Sequence, residues 1–312
     1  MIAAVTARAA SAIAAAAPPG VDLRVLPDGY EAAAFLVVSD DPEAIDALPG
    51  LRAVRVVQTL SAGTDWIEQR VPPWATLCNA RGARDVAVAE WVVGALLAAQ
   101  HGLLRAARER TWPGERTEAG AATGRTAWIG DLAGATVLIL GHGSIGRAVE
   151  SRLAPFGVRV VGVASTARDG VHGVAELPAL LPAADAVVVL APLTPATRGL
   201  VDAALLARMR DGALLLNAGR GAVVDTDALV AELERGRLRA ALDVTEPEPL
   251  PAEHPLWSLA LAITPHDAGD TPDADARAFA LAGEQLARHA RGEPLRNVVR
   301  AAVGRDGAGA AA

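Results

Sequence analysis

Along the first 80 residues short apolar runs alternate with turn and helix signals: Val21 to Leu26, Ala34 to Val38, Val54 to Leu60 and Ala75 to Asn79. Runs of this length between breakers predict the strands of a small α/β unit. Met1 to Ala17 reads as a strand and a helix rather than a signal peptide, because no basic residue precedes its apolar stretch and Arg8 interrupts it. From Asp85 to Arg105, residues Val86, Ala89, Val93, Leu96, Leu97 and Leu104 fall at helical spacing, with Asp85 near the start. A long helix leaving the first unit is expected there. Thr111 to Thr126 has little apolar periodicity and reads as an exposed connection or arm.

A second, regular series follows: Thr136 to Leu140, Arg159 to Val163, Ala186 to Leu190, Ala213 to Leu216, Ala240 to Val244 and Leu261 to Thr264. Helical segments such as Ser144 to Leu153 and Thr226 to Arg235 separate them, the rhythm of a parallel sheet covered on both faces. A final helix, about Asp273 to Arg291, lies beyond the last strand and is expected to pack back on the first unit. The tail Gly304 to Ala312 has no bulky apolar side chain to anchor it and is expected to fray. The fold expected is α/β, with two doubly wound domains (Rossmann-like or flavodoxin-like), parallel sheets and a cleft between them. Residues 1–98 with 272–312 would form a discontinuous substrate domain and 99–271 the dinucleotide-binding domain.

Composition narrows the chemistry. The 312 residues are 52% hydrophobic, enough for one large or two medium cores. No apolar run approaches the roughly 20 residues needed to cross a bilayer, so no membrane partner is expected. Twenty-nine basic and 36 acidic residues leave a net charge of −7. The basic residues are scattered, which favours a small-molecule partner over nucleic acid. All 29 are arginines, so P-loop and Schiff-base lysine chemistry are both excluded. The single cysteine, Cys78, excludes an internal disulfide and a thiolate zinc cluster and fits a reducing cytoplasm. No His, Asp or Glu spacing resembles a metal motif, so no metal is expected.

Gly141-His142-Gly143-Ser144-Ile145-Gly146 matches G-x-G-x-x-G, directly after a predicted strand and at the start of a predicted helix. Gly141 permits a tight turn, Gly143 lets backbone approach a pyrophosphate, and Gly146 lets helix and strand pack closely. The amides of Ser144 and Ile145 open the helix and face the anion. His142 reads as filler between glycines. The next strand ends Val163-Ala164-Ser165-Thr166-Ala167-Arg168, without the carboxylate that NAD enzymes place on the ribose. Ser165, Thr166 and Arg168 suit a 2′-phosphate, so NADP(H) is favoured over NAD(H); the plainer alternative leaves Arg168 in solvent.

Three further strand ends carry polar groups. Arg220 follows Asn217-Ala218-Gly219, Glu246 and Glu248 sit in a proline-rich loop, and His266 follows Pro265. Ligands bind at the carboxyl ends of such sheets. An arginine fork can hold a carboxylate and polarise the adjoining carbonyl. A histidine can give or take the proton of that carbonyl oxygen as hydride moves, and a carboxylate can orient the ring. From residues alone either glutamate qualifies. Ser61-Ala62-Gly63-Thr64, after another strand, can form an anion nest for a substrate carboxylate or an ordinary turn.

In family order, Thr59 to Asp65, Val88-Ala89-Glu90, the glycine loop, Pro192-Leu193-Thr194, Asn217 to Asp225, Asp243 to Pro249 and Thr264-Pro265-His266 resemble the D-isomer-specific 2-hydroxyacid dehydrogenases. The resemblance implies reduction of a small 2-oxo acid to its 2-hydroxy acid, or the reverse, as in glyoxylate and hydroxypyruvate reductases. It implies Arg220 as substrate arginine, His266 as acid/base and Glu248 as its carboxylate. It also implies Pro192, Ala218, Gly219 and Asp243 as cofactor contacts, and a cytoplasmic homodimer with the arm at its interface. Arg81 to Ala87 departs from the family's usual loop, and Arg81 and Arg84 suggest room for a second anionic group. The competing expectation is a silent NAD(H)-sensing regulator of the same fold.

Overall fold

The computed structural model describes residues 1–39, 41–109 and 130–303; the arm at 111–126 and the tail at 304–312 lie outside them. The chain folds as two compact units, Met1–Arg84 with Asp270–Ala312, and Asp85–Gly269. Strands β1 (Ile2–Val5), β2 (Asp22–Val25), β3 (Phe35–Val38), β4 (Val56–Thr59) and β5 (Thr76–Cys78) belong to the first. The second holds β6 (Thr136–Leu140), β7 (Arg159–Ala164), β8 (His172–Gly173), β9 (Ala186–Val189), β10 (Leu214–Asn217), β11 (Arg239–Leu242) and β12 (Ala262–Ile263). The chain then returns to the first unit through the helix Pro272–Ala290 and β13 (Val298–Arg300).

The first sheet runs β13-β5-β4-β3-β1-β2, a flavodoxin-like order with one added edge. Every residue of β3 is buried, as expected of a strand covered on both faces. Phe35 and Val37 pack with Ile13, Ala278 and Leu286, while Leu36 and Val38 pack with Ala44 and Leu48, the two-residue alternation of a pleated strand. The helix Pro272–Ala290 carries its own signals: a Thr271 cap accepting from Ala274 N at 3.2 Å, proline in the first turn, and acidic residues before basic ones. A side chain at Gly283 would meet Ala16 at 2.8 Å, so glycine lets this helix lie close on Ala10–Ala16.

This helix is not the last element, as the sequence suggested. β13 pairs antiparallel with β5, so the first sheet is mixed rather than wholly parallel. Val298 is 45% exposed and Val299 40% exposed; the strand exists through edge hydrogen bonds and leaves no buried apolar run to read.

The second sheet, β12-β11-β10-β9-β6-β7-β8, is parallel throughout. From β6 the chain moves outward to β7 and β8, then returns to β9 on β6's other side. That reversal opens a crevice at the carboxyl ends of β6 and β9, where dinucleotides bind in such sheets. Val137 and Ile139 face a core shared with Ala89, Val92 and Leu96 of the helix Asp85–Gln100. That packing assigns the helix to the second unit, whereas the expected boundary fell after residue 98. No helix of the described residues is long and apolar enough to cross a membrane.

Candidate active site

The glycine loop joins β6 to the helix Ser144–Leu153. Gly141 has φ +103°, and a Cβ there would stand 2.5 Å from the Ala191 amide nitrogen. A Cβ at Gly146 would stand 2.9 Å from the Gly141 carbonyl oxygen and 3.2 Å from Ile139. These two glycines serve the turn and the close packing of helix on strand. Gly143 differs: nothing lies within 4 Å of a Cβ built on it. The one glycine whose missing side chain leaves open space is thus the one at the helix N-terminus, where unsatisfied amides and the positive dipole end favour an anion. These residues fit the pyrophosphate of a dinucleotide.

Sequence reasoning missed two partners of this loop. Ser144 Oγ donates to Asp85 Oδ1 at 3.2 Å, and His142 is buried with Nε2 2.8 Å from Glu150 Oε2. Neither follows from local pattern, since the partners come from other elements. Beyond β7, Ser165 and Thr166 are exposed. Arg168 turns back, and its Nη2 donates to the His142 carbonyl at 2.5 Å; it neither points freely into solvent nor pairs with Asp169. Pro192, after β9, is exposed, and its carbonyl accepts from Thr197 Oγ1 at 2.6 Å.

Arg220, Glu248 and His266 follow β10, β11 and β12, which are neighbours in the sheet. The Asn217 side chain closes the Arg220 loop: Nδ2 donates to the Arg220 carbonyl at 3.0 Å and Oδ1 accepts from Gly219 N at 3.1 Å. Arg220 Nη1 donates to the Gly219 carbonyl at 2.9 Å. Protein backbone fills the approach to the glycines beside Arg220. A Cβ at Gly221 would lie 1.9 Å from the Thr245 carbonyl oxygen, and one at Gly219 would lie 2.9 Å from the Ala191 oxygen. The Arg220 loop is therefore pressed against the loop that carries Glu248. Thr226 Oγ1 donates to the Glu246 carbonyl at 2.8 Å and Thr245 Oγ1 to the Pro247 carbonyl at 2.9 Å, holding that loop from either side.

His266 Nδ1 stands 2.7 Å from Glu248 Oε1, and the two side chains are 44% and 41% exposed. Glu246 instead lines a separate polar recess with Arg198 and His254. The His266 backbone has φ 59°, a left-handed conformation that histidine adopts more readily than most residues. Asp243 holds it there. Oδ1 of this buried carboxylate accepts from Thr264 Oγ1 at 2.5 Å and from the amides of Asp267 and Ala268 at 3.0 Å each. Burial raises the Asp243 pKa above the ordinary carboxylate value, against the pull of those hydrogen bonds and of His266. Asp243, Glu248, His266, Leu250 and Trp257 line one mainly apolar hollow of about 380 Å³.

In the first unit, Ser61-Ala62-Gly63 follows β4 with its carbonyls tied inward. Ser61 O accepts from Ala80 N at 2.9 Å, Ala62 O from Asn79 Nδ2 at 2.7 Å, and Gly63 O from Ser61 Oγ at 2.7 Å. The Ala62 and Gly63 amides have no acceptor among the described residues, as an anion nest requires. Arg84 is committed elsewhere: it pairs with Asp270 and, at 3.2 Å, with Asp275, and it is only 16% exposed. The second-anion role suggested for it does not survive.

Residues 96–268 match the family model described as D-isomer specific 2-hydroxyacid dehydrogenase, NAD binding domain. Over 81% of this chain and 76% of the relative, the sequence is 35% identical to a glyoxylate reductase of Thermofilum pendens. It is 37% identical to an uncharacterized protein of Corynebacterium melassecola, over 76% of this chain and 77% of that one. A D-isomer specific 2-hydroxyacid dehydrogenase of Xanthobacter autotrophicus, solved in complex with NADPH and MES, superposes with TM-score 0.80 at 31% identity, covering 95% of this chain and 97% of that one. Two α/β units with mainly parallel sheets agree with these likenesses, and the chain belongs to the D-isomer specific 2-hydroxyacid dehydrogenases, a family of NAD(P)-binding oxidoreductases.

Proposed function

We propose that this protein reduces a small 2-oxo acid, of the glyoxylate, hydroxypyruvate or pyruvate kind, to the D-2-hydroxy acid, with NADP(H) preferred over NAD(H). The observation that carries the reading is the 2.7 Å contact between His266 Nδ1 and Glu248 Oε1. A carboxylate on Nδ1 fixes the tautomer and leaves Nε2 to exchange a proton with a carbonyl or hydroxyl oxygen. A nicotinamide dinucleotide bound at the glycine loop supplies the hydride. Arg220 holds the substrate carboxylate and polarises the carbonyl with its fork of donors. In the first unit, the Ala62 and Gly63 amides offer a nest for a carboxylate. Asp243 keeps the His266 loop in its left-handed turn and, with the Ala218 and Gly219 backbone, would hold the nicotinamide carboxamide.

The preference for NADP(H) rests on the absent carboxylate at Ala164 and on Arg168 beside Ser165 and Thr166; NADPH in the Xanthobacter relative accords with it. The same reading takes the protein as a cytoplasmic homodimer, supported by the family resemblance and by its single, buried cysteine. The test follows NADPH and NADH absorbance with glyoxylate, hydroxypyruvate, pyruvate and oxaloacetate. Oxidation with at least one acid, faster with NADPH, is expected. No turnover with any of them rejects the reading in favour of a silent sensor.

A further inference from the structure

The variable position of G-x-G needs no side chain for its turn, yet His142 is built into the fold. Its side chain is 7% exposed. Three contacts from two elements hold it. The His142 amide donates to Val163 O of β7 at 2.9 Å. Nε2 lies 2.8 Å from Glu150 Oε2, on the helix that the loop opens. The ring also lies flat against β7 at Gly162, where a Cβ would stand 2.8 Å from Cγ and Cδ2 and 3.2 Å from Nδ1. An ionised carboxylate can only accept, so the ring proton sits on Nε2. Nδ1 is buried with no partner, an arrangement that costs stability and that an apolar residue would avoid.

What this seating achieves is visible on the other side of the residue. The His142 carbonyl is the acceptor that draws in Arg168. Only Nη2 is used there; Arg168 Nε and Nη1 have no protein partner among the described residues. We propose that His142, seated by Gly162 and Glu150, is a positioning residue for cofactor selection: it aims its carbonyl so that Arg168 presents its remaining donors to the adenosine 2′-phosphate. The inference rests on reading Arg168 as the 2′-phosphate ligand, and it adds that the selectivity is set from beneath the glycine loop.

Calorimetric titration with 2′,5′-ADP and 5′-AMP tests it without turnover. The wild type is expected to prefer 2′,5′-ADP, and Arg168→Ala to abolish the preference. Glu150 is 47% exposed at its side chain, so Glu150→Ala leaves the fold intact. Losing one such hydrogen bond should lower the 2′,5′-ADP preference about fivefold while 5′-AMP affinity stays within about twofold. Glu150→Gln, whose amide oxygen still accepts from Nε2, should restore the preference. Gly162→Ala should lower it as well, and should add nothing in a His142→Ala background, because the collision is with the ring. A loosened loop would weaken both nucleotides alike, and that result overturns the proposal. So does an unchanged preference in Glu150→Ala while Arg168→Ala still abolishes it, an outcome that leaves the NADP reading standing. A wild type with no preference removes both.

Discussion

His266 Nδ1 and Glu248 Oε1 lie 2.7 Å apart across two neighbouring strand ends, and the histidine reaches that position only with a left-handed backbone. The couple and the Asp243 carboxylate beneath it form one unit: one oxygen of Asp243 gathers a hydroxyl and two amides of the His266 loop.

On the proposed reading, removing the His266 side chain should cost far more than loosening its partner. His266→Gln is expected to lower kcat by about 10² to 10⁴. Glu248→Gln, which still accepts from Nδ1–H but carries no charge, is expected to lower it by about tenfold, with a larger effect on kcat than on KM. Steady-state kinetics of both variants measure this. Equal losses would reject the assignment of distinct roles.

Asp243 links stability to pH. Its folded-state pKa is raised by burial, so between the unfolded value, about 3.9, and the higher folded value the native state binds more protons than the unfolded chain. Stability from this group is complete below the unfolded pKa and is lost as pH rises through the folded one. Asp243→Asn keeps an accepting oxygen without a charge to bury. Its melting temperature relative to wild type should rise from pH 3.5 to pH 7; a difference independent of pH would refute the burial argument.

The glycines divide by what a methyl would meet. Gly221→Ala drives Cβ into the Thr245 carbonyl at 1.9 Å and is expected to destabilise by about 3 kcal/mol or more, the cost of forced overpacking against backbone. Gly143→Ala meets nothing within 4 Å, so its melting temperature should stay near wild type while dinucleotide affinity falls. Thermal unfolding and cofactor titration, run on both, read the contrast.

Arg84, tied to Asp270 and Asp275, is expected to act on stability rather than substrate choice. Arg84→Ala should destabilise by about 1 to 3 kcal/mol, because Asp270 and Asp275 lose a largely buried partner. The ratio of kcat/KM for oxaloacetate over pyruvate should not move. A collapse of that ratio would restore the second-anion role.

Cys78 is fully buried, and burial pushes its thiol up to about 11. The thiolate is the reactive form. Labelling by a disulfide reagent at pH 8 should be negligible in the native protein and should track unfolding in urea; rapid native labelling would contradict its burial.

Several features were legible in the sequence because they are written in local pattern. Apolar runs located most of the strands, since a strand buried on both faces must be apolar at nearly every position. The caps of Pro272–Ala290 and the glycine loop were readable because each satisfies a backbone need within a few residues. Motif order placed Arg220, Glu248 and His266 at strand ends, although choosing Glu248 over Glu246 took the family resemblance. Tertiary structure alone decided the rest. β13 escaped notice because edge pairing is made by backbone groups that every sequence shares. Arg84 looked like a ligand for a second anionic group until Asp270 and Asp275 closed on it, and the Thr245 and Ala191 carbonyls that crowd Gly221 and Gly219 come from elements distant in the chain. His142 looked like filler until Gly162 and Glu150 arrived from other elements. Long-range partners of this kind are fixed by packing distances of a few ångströms, and spacing along the chain does not encode them.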